Sequence, residues 1–328
     1  MADDLEEEVR EATADLVASK PEGVTWADLD EMGWFELAEE SPALAVGALF
    51  EALGHAASGS GGALDAAVVV ALVAQGAELS LDDPPALVFT LPGRSVVGSL
   101  AEGGTVTVDG VVLSGAGVPE SLLAPITRAD GATVLALLDS ESVALEPIAG
   151  VDPTLGLRRA HGLSVRMRRE LGPGYADVWD HAARRAVAHE SLGLARAIRD
   201  VAVAHVSARK QFGRAIGSYQ AVQHRLADIE VAIGGAAAVT GLTWDDDIDP
   251  LAVLAAKSLA AGALETAVRN GLQVCGGMAF TEEFPLARLV RRALFLSAFL
   301  GGSTPLAEEV GRSILAVGRT PRFSGFAA

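Results

Sequence analysis

The chain of 328 residues has one cysteine, Cys275, so no intrachain disulfide can form and a structural cysteine–zinc site is excluded. It is nearly free of lysine, and only 5% of its residues are aromatic. Its formal net charge of -18 argues against bulk attraction to nucleic acid or an anionic membrane. The longest apolar run, ALDAAVVVALVA, contains Asp65 and is too short to span a bilayer. The start, MADDLEEEVREATADL, is acidic and amphipathic, unlike a signal peptide, so the expected location is cytoplasmic.

What is present is Ala, Val, Leu and Gly, a mix suited to closely packed helices, and enough chain for several subdomains. Three textures follow one another. Residues 1–82 read as a helical domain: Leu5, Val9, Ala12 and Leu16 keep helical spacing, and WADLDEMGWFELAEE follows. The Gly/Ser stretch after Ala57 has no strand before it, so it is not a dinucleotide fingerprint. Residues 83–172 carry short Val-rich runs cut by Gly, Pro and Asp, which predict a small, mostly antiparallel β domain with an Asp-Gly turn at Asp109-Gly110.

Residues 173–328 predict a bundle of long helices. One runs from about Asp177 to Gln211. A second starts at Ser218 as N-cap and carries Tyr219, Val222, Leu226, Ile229 and Ile233 on one face. A third has Asp249 as N-cap and Pro250 at its first position, and stops at Gly276-Gly277. Others start near Pro285 and Thr304-Pro305. The fold class expected is mainly α with a small β domain.

Two segments raise a chemical question. The first, RKQFGRAIGSYQ, sets Arg209, Lys210 and Arg214 around Phe212-Gly213. Cations at a helix end suit its dipole, and Gly stops the helix. Arg209 is also the side-chain type suited to forked phosphate contacts. The second, QVCGGMAFTEEFPLARLVRR, offers Gln273 as a donor and Gly276-Gly277 as backbone that a ligand could approach closely.

In this order and spacing the two segments resemble the C-terminal half of the acyl-CoA dehydrogenase family, over residues 177–318; LDEMGWFEL resembles its N-terminal region more faintly. The resemblance implies an N-terminal helical domain, a middle β domain and a C-terminal four-helix bundle. It implies FAD as cofactor, oxidation of an acyl-CoA to the 2-enoyl-CoA, and an electron-transferring flavoprotein as acceptor. In the family, FAD lies across a subunit interface. Carried over, the FAD contacts offered to a neighbour are Arg209, Phe212, Gln220, Gln273, Gly276 and Gly277. No metal is implied, and His205 and His224 lack a Glu-x-x-His partner.

The departures are as informative. The family's base Glu precedes Gly-Thr between the last two helices; here the turn reads SAFLGGST and the slot falls on Gly301, or on Leu300 one residue earlier. The alternative slot on the long helix falls near Ala183. Asp180 and His181 lie one turn early, and Glu190 lies roughly 10 Å further along the axis, leaving Glu190 or Glu283 as substitutes. The family's Thr-Glu-Pro and Gly-Ser-Asp reduce to Thr90, Leu91, Pro92 and Ser95; no Trp strand follows, and Arg292 replaces an acid.

The resemblance thus implies one half of an enzyme: a short, base-lacking subunit that pairs with a homologous chain in a heterotetramer, as in actinobacterial dehydrogenases of steroid side-chain acyl-CoA thioesters. Two alternatives stand beside it. One is a self-sufficient homomer with a relocated base; the other is a non-catalytic scaffold of the same fold.

Overall fold

A computed structural model describes residues 2–91, 96–101, 104–113, 119–245 and 248–318. The chain divides into two compact units. One comprises residues 15–46 and 58–183, and the other residues 1–14, 47–57 and 184–328.

The first unit holds the sheet and short helices. Helix α1 (Ala2–Ser19) ends in it, followed by α2 (Trp26–Glu31) and α3 (Trp34–Glu40). The run WADLDEMGWFELAEE is therefore two helices, parted where Gly33 takes φ 75. Thr25 caps α2 through a reciprocal box with Asp28. Helix α4 (Pro42–Ala56) begins here, and α5 (Gly61–Ala74) carries the apolar run.

The sheet contains β1 (Ala86–Leu87), β2 (Gly98–Leu100), β3 (Val106–Leu113), β4 (Ser121–Thr127), β5 (Thr133–Asp139), β6 (Ala144–Pro147), β7 (Leu157–Val165) and β8 (Met167–Leu171). Its order is β6-β7-β3-β2-β4-β5-β8, with β1 beside β4. Pairing is antiparallel except β1–β4 and β2–β4. Val88, Val106, Val108, Leu122, Ile126, Val134 and Leu138 fill one buried cluster on the sheet.

Asp109-Gly110 is not a turn. Both residues lie inside β3, opposite His161 and Ala160 of β7. Glycine is needed there because a Cβ would stand 2.6 Å from the Phe89 carbonyl oxygen and from a Val88 methyl. Asp109 accepts a forked pair from Arg159 at 2.8 and 3.1 Å.

The second unit is a helical bundle. Helix α6 (Tyr175–Ala208) runs into it, followed by α7 (Gln220–Leu242), α8 (Pro250–Cys275), α9 (Leu286–Leu296) and α10 (Ser303–Val317). Helix α7 packs along α8, and α8 also meets α9 and α10. Asp249 caps α8 as expected, accepting from Leu251 N–H at 3.0 Å. Ser218 does not cap α7. Its hydroxyl donates back to the Ala215 carbonyl at 2.7 Å in a 3-10 turn, and Tyr219 takes the cap position without a side-chain bond. Helix α8 is long and apolar enough to cross a membrane, yet 61% of its apolar window is buried within the protein.

Candidate functional site

The long helix α6 stops at Ala208, earlier than the sequence pattern suggests, and a two-stranded hairpin follows. Strand β9 (Lys210–Gln211) pairs with β10 (Arg214–Ala215), leaving Phe212-Gly213 as the two-residue loop. Both loop residues have positive φ, 51 and 82, as a primed hairpin turn requires. Glycine meets that demand freely; Phe212 does so under strain of about 1–2 kcal/mol. Phe212 is 92% exposed, so packing within the chain does not repay the strain. The hairpin is braced from behind. Arg214 stacks on the Tyr219 ring at 4.0 Å, the Tyr219 hydroxyl donates to the Gln211 carbonyl, and Ile216 N–H donates to the Arg209 carbonyl.

The second segment lies at the same end of the bundle. The His205 ring meets Phe284 edge-on at 5.5 Å, and Gly271 of α8 lets Ile198 of α6 and Leu286 of α9 close in. Helix α8 ends at Gly276, whose φ 64 and ψ -152 only glycine adopts readily. A Cβ on Gly276 or Gly277 would meet nothing within 4 Å. The chain's own packing therefore gives no reason for glycine at 277; it leaves open space above the backbone. Gln273, Gly276 and Gly277 are exposed, with Met278 and Phe280 45% and 74% exposed beside them.

Arg209 and Gln220 are exposed too. Among the described residues, the side chains of Arg209 and Gln273 have no hydrogen bond or ion pair. Two donors, a strained aromatic and a glycine turn thus face outward from one end of the bundle. That set fits a phosphate-bearing, planar ligand such as FAD: a guanidinium for a phosphate, an amide for a polar edge, and uncovered backbone for close approach. Cys275, between them, is buried, and burial pushes its thiol up to about 11, so it is a packed residue and not a nucleophile.

The turn that would carry the base has no carboxylate in SAFLGGST. Leu300 and Gly301 have φ 56 and 102, and a Cβ on Gly301 would stand 2.8 Å from the Leu306 side chain. Two cations hold the turn instead. Arg184 donates to the Leu300 carbonyl at 2.8 Å, and Lys257 donates to the carbonyls of Gly301 and Leu296 at 2.9 and 3.3 Å. Lys257 is fully buried; burial, with nearby Arg184, pushes its ammonium down to about 7.

Glu190 does not face a ligand. Its carboxylate accepts from Arg292 Nη1 at 2.7 Å, with side-chain exposures of 1% and 0%. Ala183 is fully buried, and Glu283 is exposed on the loop before α9. Thr90 and Leu91 are half-buried in the sheet unit, while Pro92 and Ser95 lie outside the described residues. No group of three or more His, Cys, Asp or Glu among the described residues could hold a metal.

A polar relay went unread in the sequence. Trp244 Nε1–H donates to His189 Nε2 at 3.2 Å, and His189 Nδ1–H donates to Glu51 at 3.1 Å. The indole N–H can only donate, so Nε2 is the accepting nitrogen and Nδ1 the one that faces Glu51. Arg196 and Arg10 close on Glu51 at 2.6 and 3.4 Å, and Arg185 stacks on Trp244 at 5.0 Å. Burial would raise the Glu51 carboxyl, but His189 and Arg196 outweigh it and hold it below its ordinary value.

Comparison with known proteins places the chain among its relatives. The model of the acyl-CoA dehydrogenase C-terminal domain matches residues 181–315. The acyl-CoA dehydrogenase IpdE2 of Mycobacterium tuberculosis is 33% identical over 301 residues, 87% of this chain and 89% of that one. Among solved structures, a variant of the Tcur3481-Tcur3483 steroid ACAD has a TM-score of 0.83 at 21% identity, covering 97% of this chain and 99% of that one. The ChsE4-ChsE5 complex from Mycobacterium tuberculosis has a TM-score of 0.74 at 20% identity, covering 95% and 97%. The chain belongs to the acyl-CoA dehydrogenase family, oxidoreductases that act on the CH–CH groups of acyl-CoA thioesters.

Proposed function

We propose that this chain is one subunit of a heteromeric, FAD-dependent acyl-CoA dehydrogenase that oxidises a bulky acyl-CoA, such as a steroid side-chain thioester, to the 2-enoyl-CoA. The carrying observation is the outward-facing set of Arg209, Phe212, Gln273, Gly276 and Gly277, for which the described residues supply no ion pair or covering side chain. Solved structures of similar fold include the Tcur3481-Tcur3483 steroid ACAD and the ChsE4-ChsE5 complex, which supports the reading.

In this account Arg209 holds a phosphate of FAD and Gln273 hydrogen-bonds a polar edge of it. Gly276-Gly277 admits the ligand to the backbone, and Phe212 covers an apolar face; Gln220 lies beside the braced hairpin. When bound, FAD supplies the hydride acceptor for the β carbon of the substrate. The α proton goes to a Glu of the homologous partner chain, because the turn at Leu300-Gly301 holds none. Electrons leave to an electron-transferring flavoprotein, and the complex is cytoplasmic. A base at Glu190 is disfavoured by its buried pair with Arg292.

The test is flavin content of the complex purified after co-expression with a homologous neighbour. Changing Arg209→Ala should lower bound flavin while the complex stays assembled. Unchanged flavin content in an intact complex contradicts the assignment.

A further inference from the structure

The sheet-bearing unit has a surface groove of about 600 Å³, outside the set described above. Its wall is a pair of aromatic rings, Trp26 and Phe35, with centroids 4.7 Å apart and planes tilted by 34°. The wall is built and rigid. Trp26 opens α2 directly behind the Thr25 capping box. Phe35 meets the Trp34 ring edge-on at 5.5 Å, and Trp34, 1% exposed, is pinned by its indole N–H to the Ala45 carbonyl at 3.0 Å.

Four carboxylates line the same groove: Asp30 from α2, Glu36 and Glu39 from α3, and Asp82 from the loop before β1. All four are exposed, and none has an ion pair or hydrogen bond to another described residue. Lys20 is committed to Asp28 at 2.7 Å. Like charges around an aromatic face repel one another unless a cation sits among them. Aromatic faces themselves attract cations, and a guanidinium stacks on them best.

We propose that this groove docks an arginine-bearing basic segment of a partner protein. One small monovalent cation would leave most of the four carboxylates uncompensated. They are spread over three elements along an open groove, which matches several cations carried on one extended chain. One guanidinium stacks against Trp26 and Phe35, and its neighbours pair with Glu36, Glu39 and Asp82.

The experiment uses the full chain and a fluorescein-labelled hexa-arginine peptide, with anisotropy read at low and at physiological salt. The expected result is saturable one-to-one binding that weakens with salt. The Glu36→Gln/Glu39→Gln pair should lower affinity about tenfold. Trp26→Leu, which changes no charge, should lower it about threefold to fivefold. Asp82→Asn, on a loop, keeps the test valid if Trp26→Leu disturbs the fold by circular dichroism. A control pair on α10, Glu308→Gln/Glu309→Gln, should stay within about twofold, since neither carboxylate lines the groove. The proposal is overturned if the α10 pair weakens binding as much as the groove pair. Spermine displacing the peptide equally well from wild type and Trp26→Leu would also overturn it, since the groove would then be a mere sink for charge.

Discussion

Glu190 and Arg292, 102 residues apart in sequence, meet at 2.7 Å inside the bundle with exposures of 1% and 0%. Removing one partner withdraws a charge-assisted hydrogen bond from the other inside a dry interior. Arg292→Met is expected to destabilise the protein by about 3–5 kcal/mol. The double change Glu190→Leu/Arg292→Met should recover most of that loss, because apolar residues of similar volume replace a buried pair at little cost. Urea unfolding of the single and double variants measures both. Equal loss in the double variant would contradict the pairing.

Lys257 supplies a pH-dependent term. Its folded value lies near 7, below the ordinary 10.5, so between those values the unfolded chain binds more protons than the folded one. Stability from this group therefore rises with pH across that window, and its burial penalty is fully present below about 7. The wild-type unfolding free energy minus that of Lys257→Met should climb from pH 7 upward. Its limiting slope is about 1.4 kcal/mol per pH unit. Parallel pH profiles for the two proteins would contradict an ammonium depressed by burial.

Phe212 separates stability from function. It holds φ 51 and is 92% exposed. Phe212→Gly relieves the strained turn and should leave the chain at least as stable, by up to about 1 kcal/mol in thermal unfolding. The same change should loosen flavin in the co-purified complex. A variant that loses stability without losing flavin would mean that the ring serves the hairpin alone.

Much of the architecture was legible in the sequence where the signal is local. The cap at Asp249-Pro250, the stop at Gly276 and the β texture of the middle region each rest on a few adjacent residues and appear as expected. The misses come from pairing across distance. Asp109-Gly110 carries a turn's composition, but Arg159 and the approach of Phe89 draw it into β3. The hairpin at Lys210–Ala215 hides behind a helix-ending pattern, since nothing local announces that Phe212 will take positive φ. Glu51, His189 and Trp244 lie on separate segments, so their relay leaves no spacing to read. The resemblance named the outward-facing residues, but their exposure and missing partners needed the fold.

The central claim is that this chain offers its flavin-facing set to a cofactor held mainly by another chain. Native mass measurement of the co-expressed complex, paired with its flavin absorbance, tests this most directly. The account predicts a colourless isolated chain and a yellow complex of two kinds of chain with fewer than one FAD per chain. A lone chain that assembles with one FAD per subunit and oxidises acyl-CoA unaided would contradict it.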